Sequence, residues 1–382
     1  MDVNRRGIVC VIGFVVVVLQ LGVLASANMV LHVQHNLYFT KIQIGSPPKD
    51  YHVQVDTGSD LLWVNCIECE SCPKTSDLGV PLQLYDPNDS SSAKKVTCDD
   101  DFCRTTMDSS NTECKVGMSC LYTVTYGDGS GTAGYFINDN LQLLKASGDG
   151  ETKYMSGNIT FGCGAKQSGE LGSSEQALDG ILGLGQTGTS LLSQFASAKK
   201  VKRMFSHCLS GSKGGGIFAI GEVVEPKVKT TPMLEDNLHY NVEMKSIDVN
   251  GETLDIPKNI LDLGKKEGAI VDSGTTLAYF PAKIYNPLMQ KISLTFEVKT
   301  KTRLTPENLL LADRLVTYDI ENKAIGWVDH DCSSTIKVKD EESGNEFEVH
   351  AGDISSARCT STSRMILGLL LFLAGTLINW TN

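Results

Sequence analysis

The chain has 382 residues, 41% apolar and 7% aromatic, which is enough for two domains with full cores and unlike a disordered or fibrous composition. A formal charge of −11 argues against nucleic acid as a partner, because no run of Lys and Arg is available to neutralise phosphates. The short basic clusters, Lys199 to Arg203 and Lys265-Lys266, read as solvated faces.

The chain opens with Arg5 and Arg6, an apolar run from Gly7 to Leu24 and the small residues Ala25-Ser26-Ala27. That order is a signal peptide, residues 1–27, cut before Asn28. An uncleaved signal anchor is the competing reading.

From Leu37 the pattern is β-rich and frequently punctuated, with alternating segments such as Tyr51 to Val55 and Leu121 to Tyr126 between Gly, Pro, Asp and Ser clusters. Cys10 and Cys359 lie in the removable ends, so ten of the 12 cysteines belong to the mature body: Cys66, Cys69, Cys72, Cys98, Cys103, Cys114, Cys120, Cys163, Cys208 and Cys332. An even count in a secreted chain implies disulfides, whose pairing a sequence leaves open. The run Cys66, Cys69, Cys72, Pro73 lacks the fourth cysteine of an iron–sulfur motif and the second ligand pair of a zinc site, so no metal is expected. Asn88 and Asn158 head glycosylation sequons and mark expected exposed loops.

Helical spacing is brief. It covers Ser190 to Ala198, and Pro281 to Ile292, where Ile284, Leu288 and Ile292 recur every four residues. Gly214-Gly215-Gly216 lacks the Gly-Lys-Ser/Thr of a phosphate loop and reads as a hairpin turn. None of the 7 histidines has metal spacing or a base role, so they are expected at the surface or with satisfied partners. At the far end, small residues Ser355-Ser356-Ala357, a polar spacer and the apolar run Met365 to Ile378 follow the order of a lipid-anchor (GPI) signal, with Ser355 as the attachment candidate. That run is too short to span the ~30 Å hydrocarbon layer as a helix.

One pattern repeats. Val53-Gln54-Val55-Asp56-Thr57-Gly58-Ser59 and Ala269-Ile270-Val271-Asp272-Ser273-Gly274-Thr275 each carry a strand into Asp-Thr/Ser-Gly-Ser/Thr, 216 residues apart. Chance supplies each such match on the order of once in a hundred chains of this length. Gly permits the tight turn, and Thr57, Ser59, Ser273 and Thr275 offer hydroxyls to the aspartates or to the facing loop. Two such loops meeting about a pseudo-twofold axis bring two carboxylates together. Like charges that close cannot both ionise, so the pair holds one proton. The ionised member then acts as general base on water while the protonated one polarises a peptide carbonyl, without metal or cofactor.

At these motifs the chain resembles the pepsin-like aspartic proteases, over about Leu37 to Cys332. The resemblance extends to Tyr126-Gly127-Asp128-Gly129-Ser130, similar to the flap hairpin over bound peptide, and to Trp63, which stands where the family has a flap-tyrosine partner. Asp179-Gly180-Ile181-Leu182-Gly183-Leu184-Gly185 resembles the element that threads behind the first catalytic loop. The cysteine-rich insertion from Cys66 to Cys120 narrows the likeness to the plant nepenthesin-type branch, many of whose members are lipid-anchored.

The resemblance implies an all-β, bilobal fold, with a first lobe at 28–225, a second at 226–345 and a linker with anchor signal at 346–382. It implies an aspartic endopeptidase acting on polypeptides, monomeric, in the secretory pathway or at the cell surface, with Asp56 and Asp272 as the dyad. Two departures stand out. The second lobe is short after Ile292, where Pro306-Glu307-Asn308 replaces an expected Leu-Gly-Asp, and only Asn28 to Asn36 stand where a prosegment is usual. A protein that binds peptide or an inhibitor without cleaving it is therefore the rival expectation. A thiol–disulfide exchanger built on Cys66 and Cys69 is disfavoured, since no helix beside a parallel sheet is readable there.

Overall fold

The structure, a computed structural model, describes residues 27–34, 37–106, 114–145, 153–210, 215–257, 259–260, 268–275, 278–297, 311–340 and 343–349. The expected signal peptide up to Ser26, the Pro306-Glu307-Asn308 stretch and the anchor signal with Ser355 lie outside the described residues.

The first-lobe strands are β1 (Ala27–Gln34), β2 (Leu37–Ile44), β3 (Lys49–Asp56), β4 (Leu62–Glu70), β5 (Lys94–Lys95), β6 (Leu121–Thr125), β7 (Gly131–Lys145), β8 (Lys153–Ser168) and β9 (Gly180–Gly183). The chain continues through β10 (Met204–Leu209), β11 (Gly216–Ile220), β12 (Val223–Glu225), β13 (Lys229–Pro232), β14 (Asn241–Val242), β15 (Asp248–Val249), β16 (Glu252–Thr253) and β17 (Ala269–Ile270). It closes with β18 (Arg314–Asp319), β19 (Ala324–Asp329), β20 (Ile336–Lys339) and β21 (Glu346–Val349). Helices are few: α1 (Asp101–Thr106), α2 (Leu191–Ser197) and α3 (Ala282–Glu297).

A 14-stranded sheet runs β13-β19-β18-β10-β11-β1-β2-β3-β9-β4-β8-β7-β5, with β6 added on β7. Val53 and Val55, and Leu62 and Val64, alternate into one core with Phe161, Leu182, Phe205, Phe218 and Tyr318. Period-two burial of this kind makes each strand's register costly to slip, because a one-residue shift would turn every apolar side chain outward.

The β structure starts earlier than the pattern from Leu37 suggests. Ala27, the last residue of the expected signal peptide, opens β1, which pairs with both β11 and β2. Met29 and Leu31 face the core from it. Two inward residues are too short a period to read as a strand beside an apolar leader.

Both helices found by spacing are present. Ser190 caps α2 by accepting from the Ser193 amide at 3.3 Å, and α3 runs five residues beyond Ile292 with Ile284 and Leu288 buried. β10 and β11 pair antiparallel across the glycine run.

All ten cysteines pair, as Cys66–Cys163, Cys69–Cys72, Cys98–Cys114, Cys103–Cys120 and Cys208–Cys332. The sulfurs of Cys98, Cys103 and Cys114 lie within 4.8 Å of one another, but as members of two adjacent disulfides they carry no thiolate for a metal. Asn88 is exposed in a short 3-10 turn. Asn158, also exposed, lies within strand β8 and not in the loop expected for it, since β8 continues its pairing with β7 through Asn140. Among the described residues no helix is long and apolar enough to cross a membrane.

Candidate active site

Asp56 is the last residue of β3, where the strand lies parallel to β9 in register with Gly183. β9 sits between β3 and β4, and the Leu184 amide donates to the Asp56 carbonyl at 2.9 Å, so the turn after Asp56 is fixed from behind. Asp272 follows the two-residue β17, whose strand partner among the described residues is β14.

The two loops are built alike. Asp56 Oδ1 accepts from the Gly58 amide at 2.8 Å and Oδ2 from the Ser59 hydroxyl at 2.5 Å. Asp272 Oδ1 accepts from the Gly274 amide at 2.8 Å and Oδ2 from the Thr275 hydroxyl. Glycine is required on steric grounds. A Cβ at Gly58 would come within 2.5 Å of Asp272 Oδ2, and one at Gly274 would collide with Asp56 Oδ1.

Reciprocal bonds lock one loop to the other. The Ser273 amide donates to Thr57 Oγ1 at 2.9 Å and the Thr57 amide donates to Ser273 Oγ at 3.2 Å. Ser273 Oγ donates to the Val55 carbonyl at 2.9 Å and Thr57 Oγ1 to the Val271 carbonyl at 3.3 Å.

The carboxyls of Asp56 and Asp272 stand close enough that the charge of one acts on the other, and two like charges in one buried site hold a proton between them. Asp56 is 6% exposed. Burial first, then the neighbouring Asp272 charge, push its carboxyl up to about 7, against the opposing hydrogen bonds from Ser59 and Gly58.

Above the pair, β6 and β7 form a hairpin whose turn is closed by Tyr126 N–H to the Ser130 carbonyl at 2.9 Å. Asp128 Oδ1 accepts from the Ser130 amide and hydroxyl at 2.9 and 2.7 Å, and Gly129 takes the left-handed φ of 85° that the turn demands. Trp63 Nε1 donates to the Tyr126 hydroxyl at 2.7 Å. Burial raises the Tyr126 hydroxyl above its ordinary range, so it stays neutral. Aromatic packing and a polar anchor are thus combined in one pair.

Asp56, Asp272, Gly58, Gly274, Thr275, Trp63, Tyr126, Gly127 and Asp128 all line one cleft of about 590 Å³. That size suits several side chains of an extended ligand. Asn65, Leu171 and Tyr279 also line it, although no sequence signal marks them. They come from segments far apart in the chain, so only the fold assembles them.

A profile described as xylanase inhibitor N-terminal matches residues 38–222, and one described as xylanase inhibitor C-terminal matches 239–314. Aspartic proteinase 36 of Arabidopsis thaliana is 42% identical over 88% of this chain and 82% of its own length. Aspartic proteinase 39 of the same plant is 43% identical over 84% and 80%. The Nepenthes gracilis aspartic proteinase nepenthesin-2 is 32% identical over 66% of this chain and 54% of its own. Among solved structures, basic 7S globulin from soybean superposes with a TM-score of 0.61 at 17% identity, covering 80% of this chain and 96% of that one, a likeness of fold alone. The extent and identity of the plant matches make this chain a member of the pepsin-like aspartic proteinase family, of the nepenthesin type.

Proposed function

We propose that the protein is an aspartic endopeptidase that hydrolyses polypeptides, with Asp56 and Asp272 as its general acid and base. The observation that carries this reading is the pair of adjacent carboxyls on two interlocked loops lining a flap-covered cleft, with Asp56 shifted upward by burial and by the Asp272 charge. One proton on the pair leaves one carboxylate to take a proton from water and one carboxylic acid to donate to the peptide carbonyl. Thr57, Gly58, Ser59, Ser273, Gly274 and Thr275 hold the pair, and Tyr126, Gly127, Asp128 and Trp63 cover bound peptide. The names of the plant relatives support the same activity.

Five disulfides support passage through an oxidising secretory compartment. The signal peptide, glycans on Asn88 and Asn158, a lipid anchor at Ser355 with delivery to the cell surface, and a monomeric state belong to this proposal. So do lobe boundaries at 28–225 and 226–345 and the shortening of the second lobe after Ile292.

The thin second lobe favours one rival, a protein that binds peptide without turnover. Beside Asp272, Ile270 is 52% exposed on its two-residue strand. The test is cleavage of an unfolded protein substrate by the purified chain at pH 3 to 6, read by mass spectrometry, with Asp56→Asn in parallel. Proteolysis that disappears in the variant supports the enzyme. Peptide binding without cleavage supports the rival.

A further inference from the structure

One wall of the cleft holds a pair of amides that the acid–base chemistry does not use. Trp63 and Asn65, two apart on β4, both line the cleft, as neighbours on one face of a strand do. Asn65 is 3% exposed, and its backbone is engaged on both sides: its amide donates to the Asp179 carbonyl and its carbonyl accepts from the Tyr85 amide, each at 2.8 Å. Its Oδ1 accepts from Gln167 Nε2 on β8 at 2.8 Å. The Cys72 sulfur stands 2.9 Å from the same oxygen and, bound in the Cys69–Cys72 disulfide, has no proton to donate.

The surroundings make room for this pair. Gly164 faces Asn65 across the β4–β8 ladder, and a Cβ there would come within 2.8 Å of Gln167 Nε2. The Cys66–Cys163 disulfide joins the two strands through the residues next to Asn65 and Gly164. Gln167 is 2% exposed and its Oε1 has no partner among the described residues, a cost that an apolar pair of the same shape would avoid. With Oδ1 held by Gln167, the Nδ2 amine is the remaining polar group of Asn65, and it has no partner among the described residues.

Leu171, Leu178 and Ile181 line the same cleft, so this donor belongs to a largely apolar wall, where a missing partner is most costly. A glutamine or asparagine side chain supplies the oxygen that the donor lacks. An aliphatic side chain does not. Glu170, also on the wall, repels a carboxylate and offers an acceptor to an amide N–H.

We propose that Asn65 is a specificity-determining residue, the donor by which the cleft selects a glutamine or asparagine side chain of the substrate, and that Gln167 is the positioning residue that holds its amide. The proposal rests on the two-aspartate reading of the cleft for turnover, whereas the selection itself is a property of binding.

The test is a set of peptides in which each position near the scissile bond is varied among Gln, Asn, Leu and Glu, cleaved by the full chain at acidic pH and read by mass spectrometry. At one position Gln or Asn should exceed Leu about tenfold in kcat/KM, the scale of one hydrogen bond from a buried donor. Asn65→Leu should bring that ratio to about one, and Gln167→Leu should lower it to about threefold. A merely structural loss slows every peptide together and leaves the ratio where it was. If Asn65→Leu does not fold, Gln167→Leu gives the same readout.

Binding keeps this inference apart from the protease reading. Asp56→Asn should bind the Gln peptide about tenfold more tightly than the Leu peptide by calorimetry, and that result without cleavage by the wild type would remove the enzyme and keep the selection. No amide preference at any position in cleavage or binding, or an unchanged Gln-to-Leu ratio in folded Asn65→Leu, would overturn the proposal.

Discussion

Asp56 and Asp272, the proposed catalytic pair, have the same local loop and very different support. Asp56 ends an eight-residue strand flanked by β2 and β9, in a stretch of chain where four of the five disulfides lie between residues 66 and 163. Asp272 follows a two-residue strand with, among the described residues, one two-residue partner, and Ile270 and Tyr279 near it are 52% and 78% exposed. The second loop is instead tied to the first. Ser273 bonds to Val55 and Thr57, Thr57 bonds back to Val271, and Gln54 reaches the Gly274 carbonyl at 3.4 Å. A catalytic pair can therefore be completed by one well-built half lending its edge to a slighter one.

Disulfides probe that asymmetry most strongly. Cys208–Cys332 closes a loop of 124 residues and holds the segment after β19 to β10 of the large sheet, so Cys208→Ser/Cys332→Ser should cost about 5 kcal/mol. Cys69–Cys72 spans only 3 residues and its removal should cost no more than about 1.5 kcal/mol. Denaturant melts of the two variants give the comparison directly. Equal losses would mean that the loop closed is not what matters.

The pH dependence of stability separates the site from the sheet beneath it. Asp56, raised to about 7, keeps a proton that the unfolded chain has lost above about 4, so its contribution grows as pH falls from 7 to 4. Burial lowers His207 to about 3, so the unfolded chain takes up a proton below 6.5 that the folded one refuses, and its contribution shrinks as pH falls. Each slope is about 1.4 kcal/mol per pH unit, and they oppose one another between pH 4 and 6.5. Wild-type stability should thus vary little across that window. His207→Gln should gain about 3 kcal/mol relative to wild type on going from pH 6.5 to 4, and Asp56→Asn should lose a similar amount, measured by urea unfolding at each pH.

Smaller effects test the grip and the flap. Thr57→Val keeps the shape but removes the hydroxyl that serves Ser273 and Val271, and should lower kcat by about a hundredfold, the scale of two lost hydrogen bonds. Trp63→Phe removes the 2.7 Å bond to Tyr126 and should lower kcat/KM about tenfold. A Trp63→Phe effect larger than that of Thr57→Val would shift the weight of the account from the grip to the flap.

The legible parts of the sequence were those whose physics is local. Asp-Thr/Ser-Gly-Ser/Thr needs four consecutive residues, and each aspartate takes its Gly and hydroxyl partners from within its own motif. The two amphipathic helices were legible for the same reason. Cysteine pairing was not, because Cys66 finds Cys163 only after the intervening strands have stacked. Nor was β1, which is defined by partners near residues 37 and 220 more than by its own short alternation. Nor was the full burial of His207, because it depends on which strands close over β10, and no spacing rule carries that information.

The central claim is that Asp272, on its slight strand, is still held opposite Asp56 by the first lobe. The most direct measurement is kcat/KM of Asp272→Asn against wild type on one peptide at acidic pH. A folded variant slower by at least about a thousandfold, the scale of a lost acid–base partner, is the predicted result. An Asp272→Asn that cleaves as fast as wild type would contradict it.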